Sequence, residues 1–330
     1  MTAADARIRL AYGGLHPDRV RTLLAERGPA AAVVRDITRG SIRTTERVRA
    51  AVGVDADQRR DEMAGADVAF VLKGDAAYPS HLAELPDAPD ALFVRGALPL
   101  ERGVAVVGTR RCTSYGKRLA ASYGRAIGEA GWTLVSGLAR GIDGAAHEGT
   151  VAARGRGVAV LGCGIDVAYP PEHAFLGQRL LELGGSIVTE YPPGTPPEGW
   201  RFPPRNRIIA GVAAAVGVVE AGVKGGALIT AGAALLQGVP VFAVPGDVGR
   251  ASSQGTNLLI RDGAHPVLDA DDLIAELELI LGPVPQVTRR DQVPAEVGPV
   301  LVALDDGASA DELASRLGLG PVEMVRLIGR

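Results

Sequence analysis

Residues 104–137 read VAVVGTRRCTSYGKRLAASYGRAIGEAGWTLVSG: an apolar run, a segment of helical length and a second apolar run. The unit then recurs. Apolar runs follow at 158–162 (VAVLG), 186–191 (SIVTEY), 215–220 (AVGVVE) and 240–245 (PVFAVP). Segments of helical length separate them at 114–130, 141–154, 171–183, 205–213 and 226–238. Strands that are apolar on every residue are buried on both faces, as in parallel sheets flanked by crossover helices. The stretch therefore predicts a doubly wound α/β domain around a mostly parallel sheet.

Outward from that core the pattern changes on both sides. Val68–Leu72 has the length of a buried strand, and Leu92-Phe93-Val94 follows a stretch broken by Pro79, Pro86 and Pro89. Residues 1–62 read as small helices: Leu10, Val20, Leu23 and Leu24 recur near helical spacing, punctuated by Gly13-Gly14 and Gly28-Pro29. With a further pattern from Thr44 to Val52, this predicts about four short helices, and the charge run Asp55–Glu62 reads as a solvated connector. A last helix of the domain is expected at 270–281, with Asp269, Asp271 and Asp272 at the favourable end of its dipole. GPVPQVTRRDQVPAEVG, 282–298, has a linker's composition. Beyond it Val300–Leu304, Ser309–Leu317 and Pro321–Ile328 give short helical patterns, part of a winged-helix-like module. The expected divisions are 1–62, 63–282, 283–298 and 299–330.

With 47% hydrophobic and 22% charged residues the chain is globular rather than disordered. The net charge of −3 does not announce a polyanion binder, so any positive site must be local. Cys112 and Cys163 have neither metal-ligand spacing nor a disulfide framework and fit a reducing cytosol. No apolar h-region opens the chain and no run is long enough to span a membrane, so a cytoplasmic protein is expected.

Ligands of doubly wound sheets bind beyond the carboxyl ends of the strands. There this sequence places Gly108-Thr109-Arg110-Arg111, then Ser136-Gly137 with Arg140, then Gly162-Cys163-Gly164. A Pro-rich loop ending in Trp200-Arg201-Phe202-Pro-Pro-Arg205-Asn206-Arg207 follows, and then Lys224-Gly225-Gly226 with Thr230 in the next helix. Glycines admit backbone N–H groups to a ligand, and helix N-termini carry positive partial charge. Arg110, Arg111, Arg140, Arg201, Arg205, Arg207 and Lys224 fall on one rim, which predicts an anion site. Phe202 between arginines suits base stacking beside phosphate contacts, or equally a plug of the domain core.

Spacing argues against enzymes. The first turn has one glycine, Gly108, where a dinucleotide fingerprint needs three, and no Walker loop or nucleophile elbow occurs. Asp143 and His147 share one helix face, a pattern more common as a helix-internal contact than as an acid–base pair. Glu190, Glu220, Asp143 and Asp166 read as orienting loop amides or arginines. No catalytic group, metal or cofactor is expected.

As an ordered set, VAVVGTRRCTSYG, LVSGLARGIDGAAHEG, VAVLGCGIDVAYPPEH, IVTEYPPG, FPPRNRIIAG, VVEAGVKGGALITA and VFAVPGDVGRASSQGTNLLIRDGA resemble the DNA-processing protein A family (DprA, also called Smf). The resemblance covers about 65–282, with Asp75-Tyr78-Pro79 and Leu92–Gly96 also matching. It implies an extended Rossmann-like domain, often preceded by a sterile-alpha-motif-like domain and followed by a winged helix. It implies single-stranded DNA binding, a homodimer formed through the Rossmann-like domain, and protection and delivery of the strand to the recombinase RecA in natural transformation. It also implies that Arg110, Phe202, Arg205, Asn206 and Arg207 line the DNA pocket. The chain departs from the family in carrying Lys224-Gly225-Gly226 where many members have Ser-Gly-Ser, and Gly232 where many have an arginine. The alternatives are a nucleoside-monophosphate hydrolase on a related fold, disfavoured because no acid follows Gly225-Gly226 in the required place, and a protein-docking module.

Overall fold

The computed structural model of the protein describes residues 1–282; the expected linker at 283–298 and the helices at 299–330 lie outside them. Helices α1 (Ala3–Tyr12), α2 (Pro17–Arg27), α3 (Ala30–Thr38), α4 (Glu46–Gly53) and α5 (Ala56–Gly65) come first. Strand β1 (Ala69–Leu72), the one-turn α6 (Ser80–Ala83) and β2 (Ala91–Gly96) follow. The alternating part runs β3 (Gly103–Val107), α7 (Ser114–Glu129), β4 (Leu134–Ser136), α8 (Ile142–Ala152), β5 (Gly157–Val160), α9 (Ala174–Glu182) and β6 (Ser186–Thr189). It continues through α10 (Phe202–Gly211), β7 (Ala213–Val218), α11 (Gly226–Leu236), β8 (Val241–Ala243), α12 (Gln254–Arg261), β9 (His265–Pro266) and α13 (Ala270–Leu281).

The strands form one sheet in the order β1-β2-β6-β5-β4-β3-β7-β8-β9. β1–β2 and β2–β6 are antiparallel, and every other pairing is parallel. Successive strand residues point to opposite faces, and both faces are covered. Val104 and Val106 of β3 pack with Tyr123 and Ile127 of α7, Ala145 of α8 and Leu273 and Leu277 of α13. Their neighbours Ala105 and Val107 pack with Ile208 and Ile209 of α10 and Ala231 and Ala234 of α11. This is the expected doubly wound, Rossmann-like architecture. Because β4 and β7 flank β3 on opposite sides, the chain reverses direction across the sheet there and leaves a crevice at the strand ends.

The N-terminal helices have a core of their own, including Leu10, Leu23, Val33, Ile37 and Val52. A different face of α1 closes onto the sheet: Ile8, Tyr12 and Met63 cluster with Phe93, and the Tyr12 ring meets Phe93 edge-on at 5.8 Å. The charge run expected as a connector is instead α5. Asp55 caps it by accepting from the Asp57 amide, Ala56 and Met63 are buried, and its charges pair along the helix, Arg59 with Glu62 and Arg60 with Asp57. No helix among the described residues is long and apolar enough to cross a membrane.

Candidate functional site

The crevice is a cleft of about 810 Å³ at the carboxyl ends of β3 and β7. Gly108, Thr109, Arg110 and Arg111 form one wall, and Lys224, Gly225, Gly226 and Thr230 another. Phe202, Arg205, Asn206 and Ile209 lie between them.

The first wall is braced from below. Thr109 N–H donates to the Glu220 carbonyl at 2.8 Å, and Arg111 N–H donates to Thr109 Oγ1 at 3.2 Å. The Glu220 carboxylate faces away, accepting from Thr113 N–H and Oγ1–H at 2.8 and 2.6 Å. Thr113 in turn caps α7 by accepting from Gly116 N–H. The turn rests on the start of α8, whose N-cap Gly141 has φ of 80° and no room for a Cβ against the Thr109–Arg110 backbone.

The second wall is the start of α11. Its N-cap Gly225 supplies no side-chain acceptor, so the first-turn N–H groups face the cleft without a cap. Two hydrogen bonds fix this turn, both to the Gly226 carbonyl at 3.1 Å: Asn206 Nδ2–H from α10 and Thr230 Oγ1–H from within α11. Those groups are buried scaffolding that also lines the cleft.

The Pro-rich loop ends earlier than expected: helix α10 opens at Phe202, three residues ahead of the helical segment expected at 205–213. Phe202, Arg205, Asn206 and Ile209 follow the i, i+3, i+4, i+7 spacing of one helix face, and that face lines the cleft. Phe202 is half-buried, with the Arg110 guanidinium 4.6 Å above its ring. Arg205 forms the floor: fully enclosed, it donates to the Val160 carbonyl at 2.7 Å and passes through the space left by Gly137, which lacks a Cβ. Asp143, also buried, accepts from Gly137 N–H at 3.2 Å. Burial pushes the Asp143 carboxyl above its usual range, against the opposing pull of Arg205 and Arg110, and burial likewise lowers Arg205.

The rim does not hold all seven cations together. Arg207, on the opposite side of α10, is buried against Glu190, its Nη2 2.7 and 2.8 Å from the two carboxylate oxygens, with Asp87 at 3.7 Å. Arg201 donates to the Pro196 carbonyl at 2.6 Å, pairs with Glu198 and lies over the Trp200 and Tyr191 rings. Arg140 stands outside the cleft, paired with Glu172. Ser136 is fully buried, its hydroxyl donating to the Val106 carbonyl at 2.6 Å. That leaves Arg110, Arg111 and Lys224, exposed and without a carboxylate partner among the described residues. His147 is buried in the core rather than presented to the cleft. The apolar lining by Pro203, Ile209 and Ile229 was absent from the sequence reading, although helical spacing from Phe202 reaches Ile209. Among the described residues no cluster of His, Cys, Asp and Glu could hold a metal ion.

The profile of the family described as DNA recombination-mediator protein A matches residues 69–278. Protein Smf of Escherichia coli K12 is 43% identical over 203 residues, 61% of this chain and 54% of that protein, so the match spans about half the length of this relative. The crystal structure of DNA processing protein A from Streptococcus pneumoniae superposes with a TM-score of 0.66 at 32% identity, covering 81% of this chain and 95% of that one. DNA processing protein A from Helicobacter pylori, described for its single-stranded DNA binding mode, gives a TM-score of 0.57 at 27% identity over 64% of this chain and 95% of that one. The ordered strand-end motifs, the doubly wound sheet and these matches agree: the chain belongs to the DNA recombination-mediator protein A family, the DprA/Smf proteins.

Proposed function

We propose that this protein binds single-stranded DNA with the phosphates in the cleft at the ends of β3 and β7. The observation that carries the reading is the grouping of three exposed cations without acid partners, Arg110, Arg111 and Lys224, around an uncapped helix start and a half-exposed aromatic, Phe202. Backbone N–H groups and guanidinium groups suit phosphate, and an aromatic face accepts any base. The Helicobacter pylori relative, described for single-stranded DNA binding, supports the same ligand. On this reading Gly108, Thr109, Arg110, Arg111, Lys224, Gly225 and Gly226 meet the strand. Arg205, Asn206 and Thr230 hold the floor and the far wall, and the protein acts by binding rather than by catalysis. We further propose that it works in the cytoplasm as a homodimer, protecting incoming strands and passing them to a RecA-class recombinase in transformation. In that scheme helices α1–α5 are a helical module packed against the sheet, and the boundary expected at residue 62 falls inside α5.

Fluorescence anisotropy with a single-stranded oligonucleotide and its duplex, across a salt series, tests this. Single strands should bind more tightly, with affinity falling by a log–log slope of roughly −0.7 per phosphate neutralised. Affinity that ignores salt, or an Arg110→Ala/Lys224→Ala double variant that binds as well as the parent, would sink the reading.

A further inference from the structure

We propose that the DNA track continues from the cleft across the ends of β4 and β5, with Tyr169 as a second base platform and Arg140, taken over from Glu172, as its phosphate partner. This rests on the single-stranded DNA reading of the cleft. The sheet order sets the ends of β7, β3, β4 and β5 side by side, and the cleft sits at the first two, reaching the loop after β4 through Ala139 and Asp143. At about 4.8 Å per strand the next two ends extend the rim by about 10 Å.

What stands on that extension is matched to what stands in the cleft. The Tyr169 ring lies 5.5 Å from the Phe202 ring, tilted by 39°, and is half-exposed. Phe202 therefore has an aromatic neighbour on one side and the Arg110 guanidinium over its ring. Beyond Ala139, which lines the cleft, Arg140 is the next cation along the rim. It is held by Glu172, the two side chains 55% and 50% exposed. The turn that carries Glu172, residues 171–173, is seated on the loop that carries Arg140: His173 Nδ1 lies 2.9 Å from the Leu138 carbonyl oxygen. An ion pair this exposed adds little to stability, so a phosphate can displace the carboxylate at small cost. Until then Glu172 neutralises Arg140.

The test uses the full chain and oligo(dT) of stepwise increasing length in anisotropy titrations at one salt concentration, with the melting curve of each variant checked. Tyr169→Ala should weaken binding about 5- to 100-fold, as loss of one stacking face does. The loss should be confined to oligonucleotides longer than the cleft holds, and Tyr169→Phe should recover most of it. Glu172→Gln should tighten binding of the same long oligonucleotides severalfold, a gain that misfolding cannot produce. If Tyr169→Ala and Glu172→Gln both bind every length as the parent does, while Arg110→Ala still loses binding, the extended track is wrong and the cleft reading stands. If the parent binds no single strand of any length, the cleft reading falls and the track with it.

Discussion

Arg205 occupies space that Gly137 leaves empty. A Cβ on Gly137 would fall on the guanidinium and on the Asp143 carboxylate, so Gly137→Ala must separate a buried cation from a buried acid. Overpacking of this kind costs ~1–3 kcal/mol. The variant should unfold at lower urea concentration than the parent, without any change in the exposed cations of the cleft. Arg110 is the reverse case. It is exposed and has no acid partner among the described residues, so Arg110→Ala should leave stability within ~0.5 kcal/mol of the parent. It should nevertheless weaken single-strand binding, and by a similar factor for poly(dA), poly(dT) and poly(dC), because phosphate contacts carry no base information. A loss confined to one homopolymer would show that Arg110 reads bases instead.

Helix α10 gives its two faces different work. One face carries Phe202, Arg205 and Asn206 into the cleft, while Arg207 on the other is buried against Glu190. Arg207→Ala would leave that carboxylate buried without its partner, a loss of about 3–5 kcal/mol. A lowered Tm in calorimetry should report it, with single-strand affinity retained at temperatures where the variant is still folded. The sequence concealed this division because Pro203 and Pro204 read as breakers. In the first turn of a helix, however, the N–H groups have no intrahelical partner, and proline fits. Similar reasons explain the other elements that escaped. The buried side of α5 is Ala56 and Met63, too little apolar surface to mark a period. The parallel strands were legible because they are apolar throughout. Their expected ends ran up to two residues long, into turns such as Gly108-Thr109 that carry the site. Which arginines were available was not legible either, since Arg140 and Arg207 meet acids on other loops, Glu172 and Glu190.

At the scale of the whole molecule, acid should loosen the fold through His147. It is fully buried on α8, and neither ring nitrogen has a hydrogen-bond partner among the described residues. Burial, helped by His173, lowers its pKa from 6.5 to about 3. Above pH 6.5 the ring is neutral in both folded and unfolded chains and contributes nothing to the pH dependence. As the pH drops from 6.5 towards 3 only the unfolded chain takes up this proton, so His147 alone should contribute a fall of about 1.4 kcal/mol per pH unit. Urea midpoints measured on both sides of pH 6.5 should show the slope, and His147→Leu should flatten it. The packing of α1 and α5 against the sheet bears on how the chain tolerates cutting. Only residues 66–68 separate α5 from β1, and Arg95 of β2 donates to the Ala66 carbonyl at 2.8 Å within that link. A protease cut there, followed by loss of the helices, would uncover Phe93 of β2 and its neighbour Phe70 on β1, a four-residue strand at the margin of the sheet. Such a remnant would recruit further chains along that margin, and the helices thus serve as a shroud that keeps the sheet from growing.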